Sequence, residues 1–455
     1  MLLDSGVEVA SHAQVRRPPV TPGLPLVGSL FSLLSNPYRY LLEARERHGD
    51  IFTLDLGVTK AVVLSHPDHV QRVFVDKAPI YRKGGGFWEA IRTILGNGLP
   101  VSEGDFWMRQ RRMMQPHFHR QKLAGLTGLM IEAIDEALAG WETAGPLNLS
   151  RAFNQLTMKA VTRALFGAGL TGDESAEVSE AMAHALDYVV RGIIQHALPS
   201  WVPAPGRRKH LESIERIDRV VYRFIADCRA GKGGDTLLSM LSGATDGGEG
   251  MTDVHLRDEV ASMFLAGYET TSLALTWSCV YLMRQPELMA RLRDEADRVL
   301  GKRLPTFEDV PKLTFARKVV QETMRLRPPA WQVTRTLTED DRIDGYHLPA
   351  GTEVLTLIYG IQQHPDFWPD PTRYDPERFA PAEVERRHKC AWIPFGAGQR
   401  LCIGRDFALM EGQLALAMMA QRYDLRSLDR REPSPRLSST LQPKGGVSVA
   451  VSRRS

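Results

Sequence analysis

PFGAGQRLCIGRDFALMEG (Pro394–Gly412) sets one cysteine, Cys402, between a glycine-rich turn and an amphipathic run. Gly396 and Gly398 permit backbone conformations closed to other residues, and apolar side chains recur at helical spacing from Asp406 to Met419. Cys402 therefore stands just ahead of a helix. Backbone N–H groups and the helix dipole favour an anion there and predict a lowered thiol pKa. With Phe395, Leu401 and Ile403 around it, the sulfur suits a soft metal ligand or a nucleophile, while a purely structural cysteine is the plainer reading. A nucleophile needs a histidine base, and His347, His364 and His388 lie in segments without a triad-like pattern.

Working outward, ASMFLAGYETTSLAL (Ala261–Leu275) carries Met263, Ala266, Gly267, Thr270 and Ala274 on one helix face, small enough to admit a flat cofactor. A threonine bonding back to the preceding turn and bending a core helix is the plain alternative. In ETMRLRPP, Glu322 and Arg325 are spaced i, i+3, close enough for an ion pair. In WMRQRRMMQPHFHR, Trp107 and Arg111 are i, i+4 neighbours.

The bulk numbers exclude several classes. With 455 residues, 43% apolar and 24% charged, the composition is that of a globular protein, and 57 basic against 54 acidic residues leave +3. No nucleic-acid partner is implied. The four cysteines are widely spaced, which fits a reduced, cytoplasmic setting. The first 20 residues contain no apolar signal core, and the apolar stretch Ala261–Met283 carries Glu269 at its middle, so neither a signal peptide nor a membrane anchor is expected. Residues 1–30 read as a proline-rich leader and 31–455 as one domain. Its β-rich lobe is expected at about 38–80 and 330–360, and its helical lobe at about 104–327 and 402–425. HPDFWPDPTRYDPERFAP (364–381) is too aromatic for a disordered linker and is expected to be packed.

Phe395, Gly396, Gly398, Arg400, Cys402 and Gly404 together resemble the cysteine-ligand loop of the cytochrome P450 superfamily, F-x-x-G-x-R-x-C-x-G. AGYETT (Ala266–Thr271) resembles that family's oxygen-activation motif, Glu322/Arg325 with PERF (Pro376–Phe379) its E-x-x-R and P-E-R-F pair, and Trp107/Arg111 the W-x-x-x-R of its C-helix. The resemblance implies a mainly α fold with small β-sheets, a triangular helical body holding haem between the long central helix and the cysteine-loop helix. It implies Cys402 as axial thiolate of haem b (iron protoporphyrin IX), with Trp107, Arg111, Arg335 and Arg400 toward the propionates. Phe395, Gly396, Gly404, Ala266 and Gly267 would shape the seat, Thr270 and Glu269 would deliver protons during O2 activation, and Glu322, Arg325 and Arg378 would form a buried structural network.

The activity so implied is a monooxygenase that uses O2 and two external electrons to hydroxylate a hydrophobic small molecule. A terpenoid or steroid-like substrate is favoured over a fatty acid, because Phe87, Trp88, 189–197, Phe264, Ala330, Trp331, Val333 and Leu441, with Gln442 as a polar anchor, should line a pocket lacking a placed cation. Fatty-acid or polyketide/macrolide hydroxylation and non-monooxygenase haem chemistry stay open. The R in the cysteine loop, the PPVTPGLPLVG leader and PERF resemble the microsomal-type branch or bacterial relatives of it. Electrons would come from NAD(P)H through a separate ferredoxin or flavodoxin with its reductase, docking near Arg109, Arg112 and Arg120 on a monomer.

Overall fold

The computed structural model describes residues 16–57, 59–141, 145–167, 170, 172–196, 206–436 and 438–454. The apolar periodicity of the middle third folds as helices stacked about one axis, the helix Asp253–Arg284. At 32 residues it is about 48 Å long. Thr252 caps its start by accepting from the His255 N–H, and Gln285 leaves the helical region because Pro286 follows and opens the next helix. The helix Leu149–Phe166 lies along this axis, tied by the Thr157 hydroxyl, which donates to the Tyr268 carbonyl at 2.7 Å. A Cβ at Gly267 would stand 2.8 Å from Val161 Cγ2. The close helix crossing, rather than a flat cofactor alone, therefore requires glycine at 267.

The two strands expected after Asp50 form a hairpin, Ile51–Asp55 against Lys60–Leu64, with Ile51 opposite Leu64. They belong to a five-stranded sheet ordered Ile51–Asp55, Lys60–Leu64, Glu353–Thr356, Val333–Leu337, Tyr81–Arg82. Glu353–Thr356 runs parallel to Lys60–Leu64 across almost the whole helical body, a pairing with no local signal. The described part of the proline-rich leader lies extended along this sheet, where the Thr21 N–H donates to the Thr53 carbonyl at 2.8 Å.

The irregular aromatic stretch is held by one guanidinium. Arg325 and Glu322 have no exposed side-chain surface. Arg325 donates to both Glu322 oxygens at 2.7 and 2.8 Å and to the carbonyls of Gln362, Pro371 and Arg373 at 3.1, 2.6 and 2.9 Å. The Asp375 N–H completes the carboxylate at 2.8 Å, and Arg378 Nε stands 3.7 Å from it. Arg325 and Arg387 also lie over the Trp368 ring at 4.9 and 4.0 Å. The helix Arg405–Arg422, buried along most of its length, packs behind this clamp and against the axis helix. Among the described residues no helix is long and apolar enough to cross a membrane.

Candidate active site

The 394–404 turn aims Cys402 by backbone constraints. Gly398 has φ +64° and a Cβ there would meet the Phe74 carbonyl oxygen at 1.9 Å, so only glycine fits. The Cys402 N–H donates to the Phe395 carbonyl at 2.9 Å and closes the loop. Arg111 fixes it from the side, donating to the Leu401 carbonyl at 3.0 Å. The thiol opens into a cavity of about 380 Å³ between this loop and the axis helix. Its exposed surface faces that enclosed space and not bulk water. Burial consequently pushes the thiol pKa up, and the Gly404 N–H and the Arg111 and Arg405 cations offset this only in part. The lowered pKa expected from the helix terminus alone is thus corrected: a thiolate here calls for a cationic partner inside the cavity.

Four cations line the same cavity: Lys83, Arg111, Arg335 and Arg400. Arg400 donates to the Ser102 carbonyl at 2.9 Å and to Glu103 at 2.8 Å, with its guanidinium 3.7 Å above the Trp107 ring. Among the described residues Arg335 donates only to its neighbour's carbonyl, Thr334 O, at 2.7 Å, and burial lowers its pKa to about 10. Burial, followed by Arg400 and Arg335, holds Lys83 well below the lysine range. Glu103 is the carboxylate paired with this group. Glu259 also lines the cavity, but burial pushes it up to about 8 and keeps it neutral at pH 7. The unmatched positive charge and the enclosed soft sulfur fit a metal chelate bearing two carboxylates, which is what haem b is.

Along the axis helix Met263, Ala266, Gly267 and Thr270 face the cavity as expected; Ala274 is core. The Thr270 hydroxyl donates to the Ala266 carbonyl at 2.6 Å. Glu269 does not join it. One residue along a helix turns about 100°, and the Glu269 carboxylate points away from the cavity, accepting from Thr440 Oγ1 at 2.9 Å and Gln442 Nε2 at 2.6 Å. Burial raises its pKa against those two bonds.

Trp88, Ala330 and Val333 line the cavity, and so do Phe395, Gly396 and Gly404. Four residues expected at the pocket are not among those lining this cavity. Phe87 packs edge-on against Trp88 at 5.3 Å, and Phe264 is buried in the core beside Tyr268. Trp331 is fixed between Tyr38 and the Ser438 carbonyl, and Leu441 is buried with its carbonyl accepting from Trp277 Nε1 at 2.9 Å. An apolar residue in a binding region serves pocket or core according to which way its Cβ points; Phe264, Trp331 and Leu441 are buried in the core, and Phe87 is partly buried against it. Gln442 is spent on Glu269. Of 189–197, Val189 is core, and the side chains of 190–197 lie outside those described. On the surface, Arg109 and Arg112 are matched by Glu249 and Asp246 at 2.9 and 2.8 Å, which cancels much of the expected basic docking patch; the Arg120 side chain lies outside those described.

Two cavity residues were missed, Lys83 and Glu259, and with them one buried carboxyl outside the cavity lining, Glu411. Lys83 stands between Arg82 and Gly84–Gly86, and Glu259 follows Arg257 and Asp258, so neither carries a local signal that it turns inward. Glu411 sits in an apolar helical run, where a carboxyl is costly enough to need a reason. Glu411, on the helix following the cysteine loop, has no exposed surface and no well-formed hydrogen bond; the Thr271 hydroxyl near it only partly offsets burial, which drives its pKa up to about 8.

A family model described as Cytochrome P450 matches residues 18–451. Cyclooctatin synthase of Streptomyces melanosporofaciens is 35% identical over 432 residues, covering 92% of this chain and 93% of the relative. Cyclooctat-9-en-7-ol 5-monooxygenase of the same organism is also 35% identical, over 91% and 92% of the two chains. Pentalenene oxygenase of Streptomyces avermitilis is 30% identical, over 88% and 90%. Among solved structures, the heme domain of cytochrome P450DA superposes with a TM-score of 0.89 at 27% identity, covering 97% of this chain and 98% of that one.

Proposed function

This chain belongs to the cytochrome P450 family and is a monooxygenase of that class, and from that premise we propose that its substrate is a terpenoid, an apolar skeleton with at most one or two neutral oxygen functions, hydroxylated at a C–H bond. The observation that carries the reading is the cavity wall away from the four cations. Leu99, Met263, Ala266, Ala330 and Val333 give it an almost wholly apolar surface. A substrate carboxylate there would find no cation among these residues. The relatives named for cyclooctatin, cyclooctat-9-en-7-ol and pentalenene support the same class.

In this reading Cys402 would ligate the haem iron, and Lys83, Arg335 and Arg400, with Trp107 and Arg111 beside them, would hold the propionates. Haem, when bound, supplies activation of O2 and oxidation of the substrate's C–H bond. Everything else falls to the chain. The apolar wall orients the substrate and displaces water. Thr270, whose proton is directed at the Ala266 carbonyl, keeps its oxygen lone pairs free to accept from a water in the cavity and to hold a proton where oxygen chemistry needs one. Glu269 anchors the 435–443 hairpin to the axis helix. A separate ferredoxin or flavodoxin, reduced from NAD(P)H, supplies the electrons.

The test has two stages. Carbon monoxide added to the dithionite-reduced protein should give the Soret band of thiolate ligation, absent in Cys402→Ser. Titration of the oxidised protein with cyclic diterpenes, sesquiterpenes, steroids and fatty acids should then give a low-to-high-spin shift with the terpenes. Saturable shifts with fatty acids alone would overturn the substrate class while leaving the family intact.

A further inference from the structure

The tripeptide His-Pro-Asp occurs at 66–68 and again at 364–366, and the fold brings the two copies together. The rings of His66 and His364 meet edge to face with centroids 5.4 Å apart. Each is fixed from behind in the same way. His66 Nδ1 lies 3.2 Å from the Asp68 N–H and 3.5 Å from the Asp68 carboxylate; His364 Nδ1 lies 3.3 Å from the Asp366 N–H and 4.0 Å from its carboxylate. Asp50, just before the strand Ile51–Asp55, reaches the pair with one oxygen 3.1 Å from His364 Nε2, the other being held by the Ser65 hydroxyl at 3.1 Å. One ligating atom from each of Asp50, His66 and His364 falls within 4.8 Å of the other two. A histidine–aspartate hydrogen bond would account for His364 and Asp50, but not for a second imidazole converging on them with its own aspartate behind it.

We propose that Asp50, His66 and His364 form a binding site for a divalent cation of the zinc type, with Asp68 and Asp366 as outer partners of the two imidazoles, remote in function from the Cys402 cavity. Two nitrogens and one carboxylate oxygen suit zinc or its first-row neighbours and not calcium or magnesium, which take oxygen sets. Three protein ligands leave a fourth position for water, consistent with the partial exposure of Asp50 and His66. Three carboxylates, those of Asp50, Asp68 and Asp366, outweigh the one cation nearby, Arg45, whose Nη1 is committed to the Gly360 carbonyl at 3.1 Å. Zinc–ligand bonds of about 2.0–2.1 Å require ligands about 3.3 Å apart, so Asp50 and His364, at 3.1 Å, already have nearly that spacing and binding draws His66 in toward them. Each Nδ1 then becomes the protonated nitrogen and turns from the amide to the carboxylate beside it. The ion would join the start of the first strand, the cap of the helix Pro67–Gln71 and the end of the helix Ile358–Ile361, bracing the segment that leads on to the cysteine loop.

The haem-loaded, tag-free full chain is titrated with zinc chloride by calorimetry, with bound metal counted by atomic emission. His66→Asn keeps an N-cap acceptor and Asp50→Asn keeps the side-chain shape, while His255→Gln removes a histidine beside Phe106, away from the site. One zinc per chain is expected, weakened at least tenfold in the first two variants and unchanged in the third. The melting temperature should rise with zinc in the wild type and His255→Gln alone. The carbon monoxide spectrum of each protein reports its folded state independently of zinc and of substrate class. Absence of saturable zinc binding, or equal affinity in all four folded proteins, would overturn the site.

Discussion

Arg335 offers a test in which one substitution should act with opposite signs on the haem-free and haem-bound protein. Arg335 is 6% exposed, and burial lowers its pKa to about 10. Against the ordinary arginine range that is about 3 kcal/mol of preference for the neutral form, a cost of folding the cation. The cost is present in full below pH 10 and disappears as pH rises through the ordinary arginine range. Against it stand the Phe74 and Trp88 faces, 5.0 and 5.6 Å from the guanidinium, worth about 0.5–2 kcal/mol, and the hydrogen bond to Thr334 O, worth about 1 kcal/mol. Arg335→Met keeps the stem's packing and removes the charge. In urea unfolding at pH 7 followed by far-UV circular dichroism, the haem-free variant should match or exceed the wild type by about 1 kcal/mol. Haem transfer to an excess of an acceptor protein should meanwhile be at least about tenfold faster, since a charged hydrogen bond to a propionate contributes about 1.5–3 kcal/mol. A haem-free variant destabilised by more than about 1 kcal/mol, with haem release unchanged, would show that the cation is structural and would refute the reasoning.

Further outcomes follow from other sites. Arg325→Ala removes the donor from three carbonyls and leaves the buried Glu322 carboxylate with only the Asp375 N–H and the looser Arg378, and should lose about 3–5 kcal/mol in denaturant unfolding or fail to accumulate. Glu411 has a folded pKa of about 8 against an ordinary 4.5, so the stability from burying it as a neutral acid is complete below pH 4.5 and is lost as pH rises through about 8. Glu411→Gln should flatten that fall in melting temperature between pH 5 and 8, leaving the share due to Glu259. Thr270→Ala should leave the substrate-induced spin shift intact while product formed per O2 consumed drops several-fold, measured by oxygen uptake against product. Gly398→Ala, forced against the Phe74 carbonyl at positive φ, should yield protein without the thiolate Soret band.

Much of this protein was legible in the chain alone because its chemistry depends on local backbone constraints. The turn at 394–404 needs Gly398 for its φ and for its approach to Phe74, and no other residue type would serve. The i, i+3 spacing of Glu322 and Arg325 already places their charges on one helix face. The main helices and the 51–64 hairpin follow from patterns within a few residues of one another. What the tertiary structure alone decided is direction and pairing. Whether Glu269 or Thr270 faces the cavity depends on how the axis helix is rotated against Leu149–Phe166, and Val161 packing onto Gly267 fixes that rotation. Lys83 becomes part of the cationic wall only because Tyr81–Arg82 joins a sheet with Val333–Leu337, more than 240 residues later. The two His-Pro-Asp triplets acquire a common purpose only when the parallel pairing of Lys60–Leu64 with Glu353–Thr356 brings their flanks together. Sequence specifies what each residue can do within its own turn or strand; side-chain direction and long-range charge depend on contacts between segments that no local periodicity encodes.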